Sequence, residues 1–400
     1  MSESTIKTLV LHANYTKKLS YYDDWLDAFI QHPNLQSTPI NICSLQDRQF
    51  LKKQVRETDL IVLLHSTNGD TTQYLEPLAT QLAQRSAPLV SFVGNEVNIP
   101  SSRISDKRRV LGQISPEFVA SQLILDAANY LWGDIALKAV ISLPHALNPE
   151  VFFSTTPWAE RRRAIGVKAV QYSVTLGDND RNHLHNVFAD LKSIDSLPVE
   201  ISSTRLSRHE WAAFLNECRA TVSSEAGSWY LERDDAIVRA ISEFAKTQKP
   251  RGFTLPSDGI VRRVGHKMPW AIRQAFRRVT TGKYLTLDSA LIESLDRKEV
   301  EELFFRRPKP PFYSKCISSR HFDAIGTGTV QILLEGRYND CLLANEHFVE
   351  LKADYSNLHE VLNRISDQTY CKTLTSDALH HTLEFHTYRK RIDFLLKEVQ

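Results

Sequence analysis

KCISSRHFDAIGTGTVQILLEG, residues 315–336, sets a helix, a glycine turn and a buried strand in immediate succession. Residues 319–326 read as one short helix, with Arg320 in its first turn and Asp323 on the same face. Gly326 and Gly328 end it, and Thr329–Leu334 reads as a strand. A cation at a helix start can neutralise a diphosphate, and a neighbouring carboxylate can accept bonds from ribose hydroxyls. The plain alternative is a solvated helix start with an Arg320–Asp323 ion pair.

The same strand-then-helix unit recurs in both directions. Downstream of residue 165, Ala169–Leu176, Val199–Ser202 and Ala220–Ser223 read as further strands. Upstream, Lys7–His12, Leu60–His65, Pro88–Val93 and Val140–Leu143 do so, with helices expected at Tyr22–Gln31 and Thr72–Arg85. Pro149–Ile165 is a Pro/Thr/Arg-rich linker, and Ser376–Val399 has the spacing of a closing helix. The expectation is α/β: two Rossmann-like domains, 1–155 and 156–375, facing a central cleft, with residues 376–400 crossing back. No sequence repeat relates the halves.

The chain has 400 residues, with 49 Lys+Arg against 47 Asp+Glu, formally +2. Near-neutrality argues against a nucleic-acid partner, which needs many unpaired cations. No window has the ~20 apolar residues of a membrane span. The first residues lack a signal-peptide core, and five cysteines without a CxxC pair suggest neither a disulfide framework nor a zinc site. A cytoplasmic protein is expected. Between Asp258 and Asp288 there are bases but no acid, so residues 260–283 are compatible with peripheral contact at the inner membrane face; a solvated helix face is the plainer reading.

In open α/β sheets ligands bind beyond the carboxyl ends of the strands. His12, His65, Asp70, Glu96 and His145 fall there. Asp178 and Asp180, just before Arg181, either hold a divalent metal or cap a helix, and the cap is preferred. Ser224–Ser228, with Glu225 and Gly227, forms a small-residue corner where backbone N–H groups can approach an anion. His380, His381 and His386 lack a spaced carboxylate or cysteine partner and read as surface positions.

Together these strings resemble bacterial GT-B glycosyltransferases with a CgeB-like C-terminal part, related to glycosyl transferases family 1. The resemblance rests on SRHFDAIGTGTVQILLEGRYND (319–340), ANEHFVELKADYSNLHEVL (344–362) and FLNECRATVSSEAGSWYLERDD (214–235). VLLHSTNGD, SFVGNE and LPHALNPEVF support it more loosely in the first half. It implies a nucleotide-sugar donor bound by the second domain through Arg181, Glu225, Gly227, Lys315, Ser318, Arg320, Asp323 and Glu335. Lys315, Arg181 and Arg320 would face phosphate, and Asp323 the ribose. The acceptor, a glycan or lipid-linked molecule of cell-surface polysaccharide synthesis, would lie against the first domain. The resemblance also implies catalysis without a bound metal or other cofactor.

One departure matters. Retaining relatives often carry Glu-x7-Glu, the second acid preceding alanine; Asp323-Ala324 fits that place, but Lys315 stands eight residues earlier. The stereochemical outcome therefore does not transfer. An inverting reaction needs a general base, for which Asp70, Glu96 and His145 are the first candidates, with His12 and His65 behind them. A nucleotide-sugar epimerase of the same architecture and a catalytically silent binding module are the alternatives.

Overall fold

The computed structural model describes residues 5–15, 20–168, 171–194, 199–202, 204–248 and 291–399. The first half alternates β1 (Ile6–His12), α1 (Ser20–Gln31), β2 (Leu35–Asn41), α2 (Leu45–Glu57), β3 (Leu60–Leu63), α3 (Ala79–Ala83), β4 (Leu89–Phe92), α4 (Ile104–Ile114), β5 (Phe118–Ser121), α5 (Leu125–Trp132) and β6 (Ala139–Ser142). The six strands form a parallel sheet in the order β2-β1-β3-β4-β5-β6. Every residue of β3, β4 and β5 is buried. Successive side chains point to opposite faces. Leu9 and Leu11 of β1 accordingly join one core and Val10 the other.

The second half comprises β7 (Arg163–Lys168), α6 (Asp180–Ile194), β8 (Val199–Ser202), α7 (Arg208–Asn216), β9 (Cys218–Ser223), β10 (Ala226–Gly227), α8 (Ala236–Thr247), α9 (Arg297–Val300), β11 (Lys315–Cys316), α10 (Ser319–Gly326), β12 (Val330–Leu334), β13 (Val349–Leu351), α11 (Leu358–Ser366), α12 (Gln368–Phe385) and α13 (Tyr388–Val399). Five of these strands make a second parallel sheet, β13-β12-β9-β7-β8, while β10 and β11 pair antiparallel beside it. The architecture is the expected pair of Rossmann-like layers.

Three expectations shift in register. The strand expected at 169–176 lies earlier, at Arg163–Lys168, so the linker ends sooner. Its buried centre, Ile165 and Val167, is flanked by charges that pair with Glu200 of β8. Thr72–Arg85 is not one helix: a 3-10 turn at Glu76–Leu78, begun by Pro77, leads into the short α3. The closing helix is two helices broken at His386-Thr387. There the return crossing bonds to the outgoing one, Leu147 N–H to His386 O at 2.9 Å and Tyr388 N–H to Leu147 O at 3.2 Å. α13 then packs Tyr388, Ile392, Leu395 and Leu396 into the core built around Trp25 and Phe29 of the first half.

The halves also clasp on the opposite rim. Asp235 of the second half takes the N–H groups of Ile104 and Ser105 at 3.2 and 2.7 Å, satisfying donors that open α4. Asn98 Nδ2 donates to the same carboxylate at 2.6 Å. Among the described residues no helix is long and apolar enough to cross a membrane. The basic stretch 260–283 lies outside the described residues.

Candidate functional site

The carboxyl ends of both sheets face a cleft of about 550 Å³. Asp70 follows β3, Asn95 and Glu96 follow β4, Gln122 follows β5 and His145 follows β6 on one wall. Lys168 ends β7 and Tyr172 follows it, Thr204–Leu206 follow β8, and Gly227 and the start of α10 complete the other. Gly94 lets the β3 and β4 ends meet, since a Cβ there would lie 2.8 Å from Gly69 Cα. Gly227 has φ +103°, and a Cβ would come within 2.7 Å of Ser314 O.

The second-half wall is cationic. Arg181, in the first turn of α6, lies flat over Tyr172 with its guanidinium carbon 3.9 Å from the ring centroid, and its buried Nε has no hydrogen-bond partner. Arg320 stands in the first turn of α10. Burial, and then the Arg181 charge, depress its pKa from 12.5 to about 10. Among the described residues neither guanidinium has a carboxylate in a salt bridge. Ser318 caps α10, and its N–H donates to His321 Nδ1 at 3.0 Å. That bond leaves the proton of neutral His321 on Nε2, 3.2 Å from Ser223 Oγ. Two like charges held together near a helix N-terminus, with no counter-ion among the described residues, can attract a polyanion.

The Arg320–Asp323 ion pair is not formed. Asp323 is buried, and its Oδ2 accepts the Trp211 indole N–H at 3.0 Å. Burial, with Asp24 close by, holds its carboxyl well above the usual carboxylate range. Trp211 comes from α7, which also reaches the first half: Arg208 Nη1 bonds Asp24 at 2.9 Å and Asp27 at 2.6 Å. Burial raises Asp24 to about 6 against those bonds.

On the opposite wall, Asp70 accepts from Tyr15 Oη at 3.1 Å and Asn95 Nδ2 at 2.6 Å, and it stays half-buried against the cleft. Glu96 is buried and taken up by Ser121 Oγ (2.6 Å), Gln122 N–H (2.8 Å) and Trp132 Nε1 (2.7 Å). Burial raises its pKa despite those donors. His145 lines the cleft, but its Nδ1 accepts the Trp25 indole N–H at 3.1 Å. An indole only donates, so the neutral imidazole carries its proton on Nε2. Burial and the Arg391 charge lower His145 to about 3. With Nδ1 occupied and Nε2 protonated, neither ring nitrogen offers a spare lone pair for the base role expected of it.

Three donor-side residues fall outside the cleft lining. Lys315 is buried with its ammonium between Asp178, at 2.7 Å, and Asp180. Burial opposes the charge, but the two carboxylates outweigh it and raise the pKa. Asp178 also takes the Asp180 N–H at 3.0 Å, the local bond of the cap reading. Glu225 is buried beneath the site, accepting Tyr338 N–H at 2.7 Å and the Tyr313 hydroxyl. Glu335 is exposed and, among the described residues, accepts only a long 3.4 Å bond from Ala353 N–H. His12 and His65 do not line the cleft; His65 is wholly buried beside His145. Of the late histidines only His380 is exposed. His386 Nδ1 meets Arg391 at 3.0 Å, and His381 stacks on His347 at 4.3 Å.

Tyr172, Trp211 and Lys168 line the cleft without having been singled out in the sequence, whereas Asn95, which also lines it, stood out by its place at a strand end.

Two parallel-sheet α/β domains about a cleft, with a helix returning to the first, define the GT-B arrangement. Anabaena HepE, solved with UDP and glucose, superposes with a TM-score of 0.51 at 10% identity, over 98% of this chain and 100% of that one. HepE with UDP-glucose gives 0.50 at 10% identity over the same shares. At that identity the likeness speaks for the fold. No protein-family model and no curated protein sequence matches the chain.

Proposed function

We propose that this protein is a glycosyltransferase that moves a sugar from a nucleotide-diphosphate donor to a hydroxyl of a glycan or lipid-linked acceptor, without a bound metal. The observation that carries this is the Arg181–Arg320 pair, two guanidinium groups at the mouth of α10 that have no salt-bridged carboxylate among the described residues. Such a pair stabilises the charge that grows on a diphosphate leaving group, the task a metal performs elsewhere. Ser318 and the α10 N–H groups stand beside it, and Asp323 lies deeper on the same helix, toward the ribose. The likeness to a fold solved with UDP-glucose supports the donor class.

On the acceptor wall, Asp70 is the carboxylate best suited to receive a hydroxyl proton. Glu96 spends its oxygens on three protein donors, and His145 spends its ring lone pair on the Trp25 indole. Among the described residues Asp70 has one donor on each oxygen, which leaves lone pairs for a cleft hydroxyl.

The test is a thermal-shift panel of UDP-, GDP-, dTDP- and CMP-sugars, followed by NMR of the stabilising donor without acceptor. One nucleotide sugar should stabilise the protein and hydrolyse slowly. Inversion at C2 of the sugar would mean an epimerase, and no shift with any donor would mean a silent module.

A further inference from the structure

Gln331 interrupts an otherwise apolar strand, VQILL, and is 2% exposed. Neither its amide nitrogen nor its amide oxygen has a hydrogen-bond partner. A dry primary amide inside a sheet is a heavy penalty, and buried polar groups in folded proteins are nearly always satisfied. Gln331 borders a small chamber of about 10 Å³ behind the cleft. Lys168, Trp211 and Arg320 wall it off from the cleft, and Thr221 and Ser223 of β9 border it. That volume is about one water sphere.

The polar complement of one water is present. Gln331 offers a donor and an acceptor, and Arg320 offers guanidinium N–H groups that donate to no protein atom among the described residues. Thr221 Oγ1 gives its proton to Gly166 O at 2.7 Å and keeps a lone pair. We propose that Gln331 is a positioning residue: its amide holds one water in the chamber, and that water anchors the inner side of Arg320, so that the outer N–H groups are aimed at the anion in the cleft. This rests on reading the cleft as a diphosphate site. A strand-borne amide suits the task, because β12 is paired on both sides, by β13 and β9, and cannot move independently of the core.

The test pairs a crystal structure of the wild type with the variant Gln331→Met, an apolar side chain of similar length that fills the chamber. A water bonded to Gln331 and Arg320 is expected in the wild type and should be displaced in the variant. By calorimetry, Gln331→Met should bind UDP about tenfold more weakly, while its midpoint in denaturant is unchanged or higher. A Gln serving only the fold would give the opposite pair, lower stability with UDP affinity kept. That outcome, wild-type UDP affinity in the variant, or a dry chamber in the wild type overturns the proposal. Wild-type protein that binds neither UDP nor inorganic pyrophosphate refutes the donor reading instead, and the chamber is then judged on its water alone.

Discussion

Replacing Arg320 with methionine should change stability and ligand binding in opposite directions. In the free protein the guanidinium sits in a poorly hydrated wall beside Arg181, and its pKa falls from 12.5 to about 10. At ~1.4 kcal/mol per tenfold, that corresponds to about 3 kcal/mol of penalty on carrying the charge. The figure is a ceiling, because one side of the group meets cleft water. The penalty applies at every pH below about 10, since the folded-state pKa of this base is depressed. Arg320→Met removes it, so the free variant should unfold at higher denaturant than the wild type. A bound diphosphate reverses the balance: it supplies the missing counter-charge and accepts charge-assisted hydrogen bonds worth roughly 1.5–3 kcal/mol each. The variant should therefore lose ~3 kcal/mol of UDP affinity, on the order of 100-fold in Kd. Denaturant titration with and without UDP, together with calorimetry, reads both quantities on the same samples. Unchanged UDP affinity, or a free variant less stable than the wild type, would refute the reasoning.

Lys315→Met should behave differently, because it strips the counter-charge from Asp178, whose side chain is 1% exposed. Breaking a buried pair from one side costs about 3–5 kcal/mol, so stability should drop while UDP affinity stays; a selective loss of UDP binding would return Lys315 to the phosphate. His145 should show the Nε2–H tautomer by nitrogen-15 NMR and stay neutral from about pH 8 down to about pH 5, since its pKa lies at about 3. An Nδ1–H signal, or a titration in that range, would restore it as a candidate base.

What the sequence disclosed followed from how local its signals are. The α10 helix and β8 lie at their expected bounds because each is a short pattern complete in itself. β2 was missed: as an edge strand it buries only Leu35 and Ile40 of its seven residues and tolerates Pro39, so neither alternation nor an apolar run marks it. β13 is three residues long and depends on β12 for its pairing. The site divides in the same way. Arg181 and Arg320 were legible because a cation in the first turn of a helix is a local fact. Lys315 looked equivalent, yet its carboxylates come from 135 and 137 positions away, and only the folded chain shows that they occupy it first. Trp211 and Gln331 carry no local signal. One is a helix aromatic and the other a lone amide in an apolar strand, and each gains meaning from what the other sheet strands bring beside it.

The placement of α13 has a consequence for biosynthesis. The ribosome delivers β1–β6 first, yet Trp25 and Phe29 lack part of their cover until Tyr388, Ile392, Leu395 and Leu396 emerge. Domains made early usually fold early. Here the half that is translated first is completed last, so a nascent chain holds an open apolar face throughout synthesis of the second half. Premature termination before residue 388 would release a product with its second sheet complete and its first unsealed, a ready substrate for chaperones and proteases.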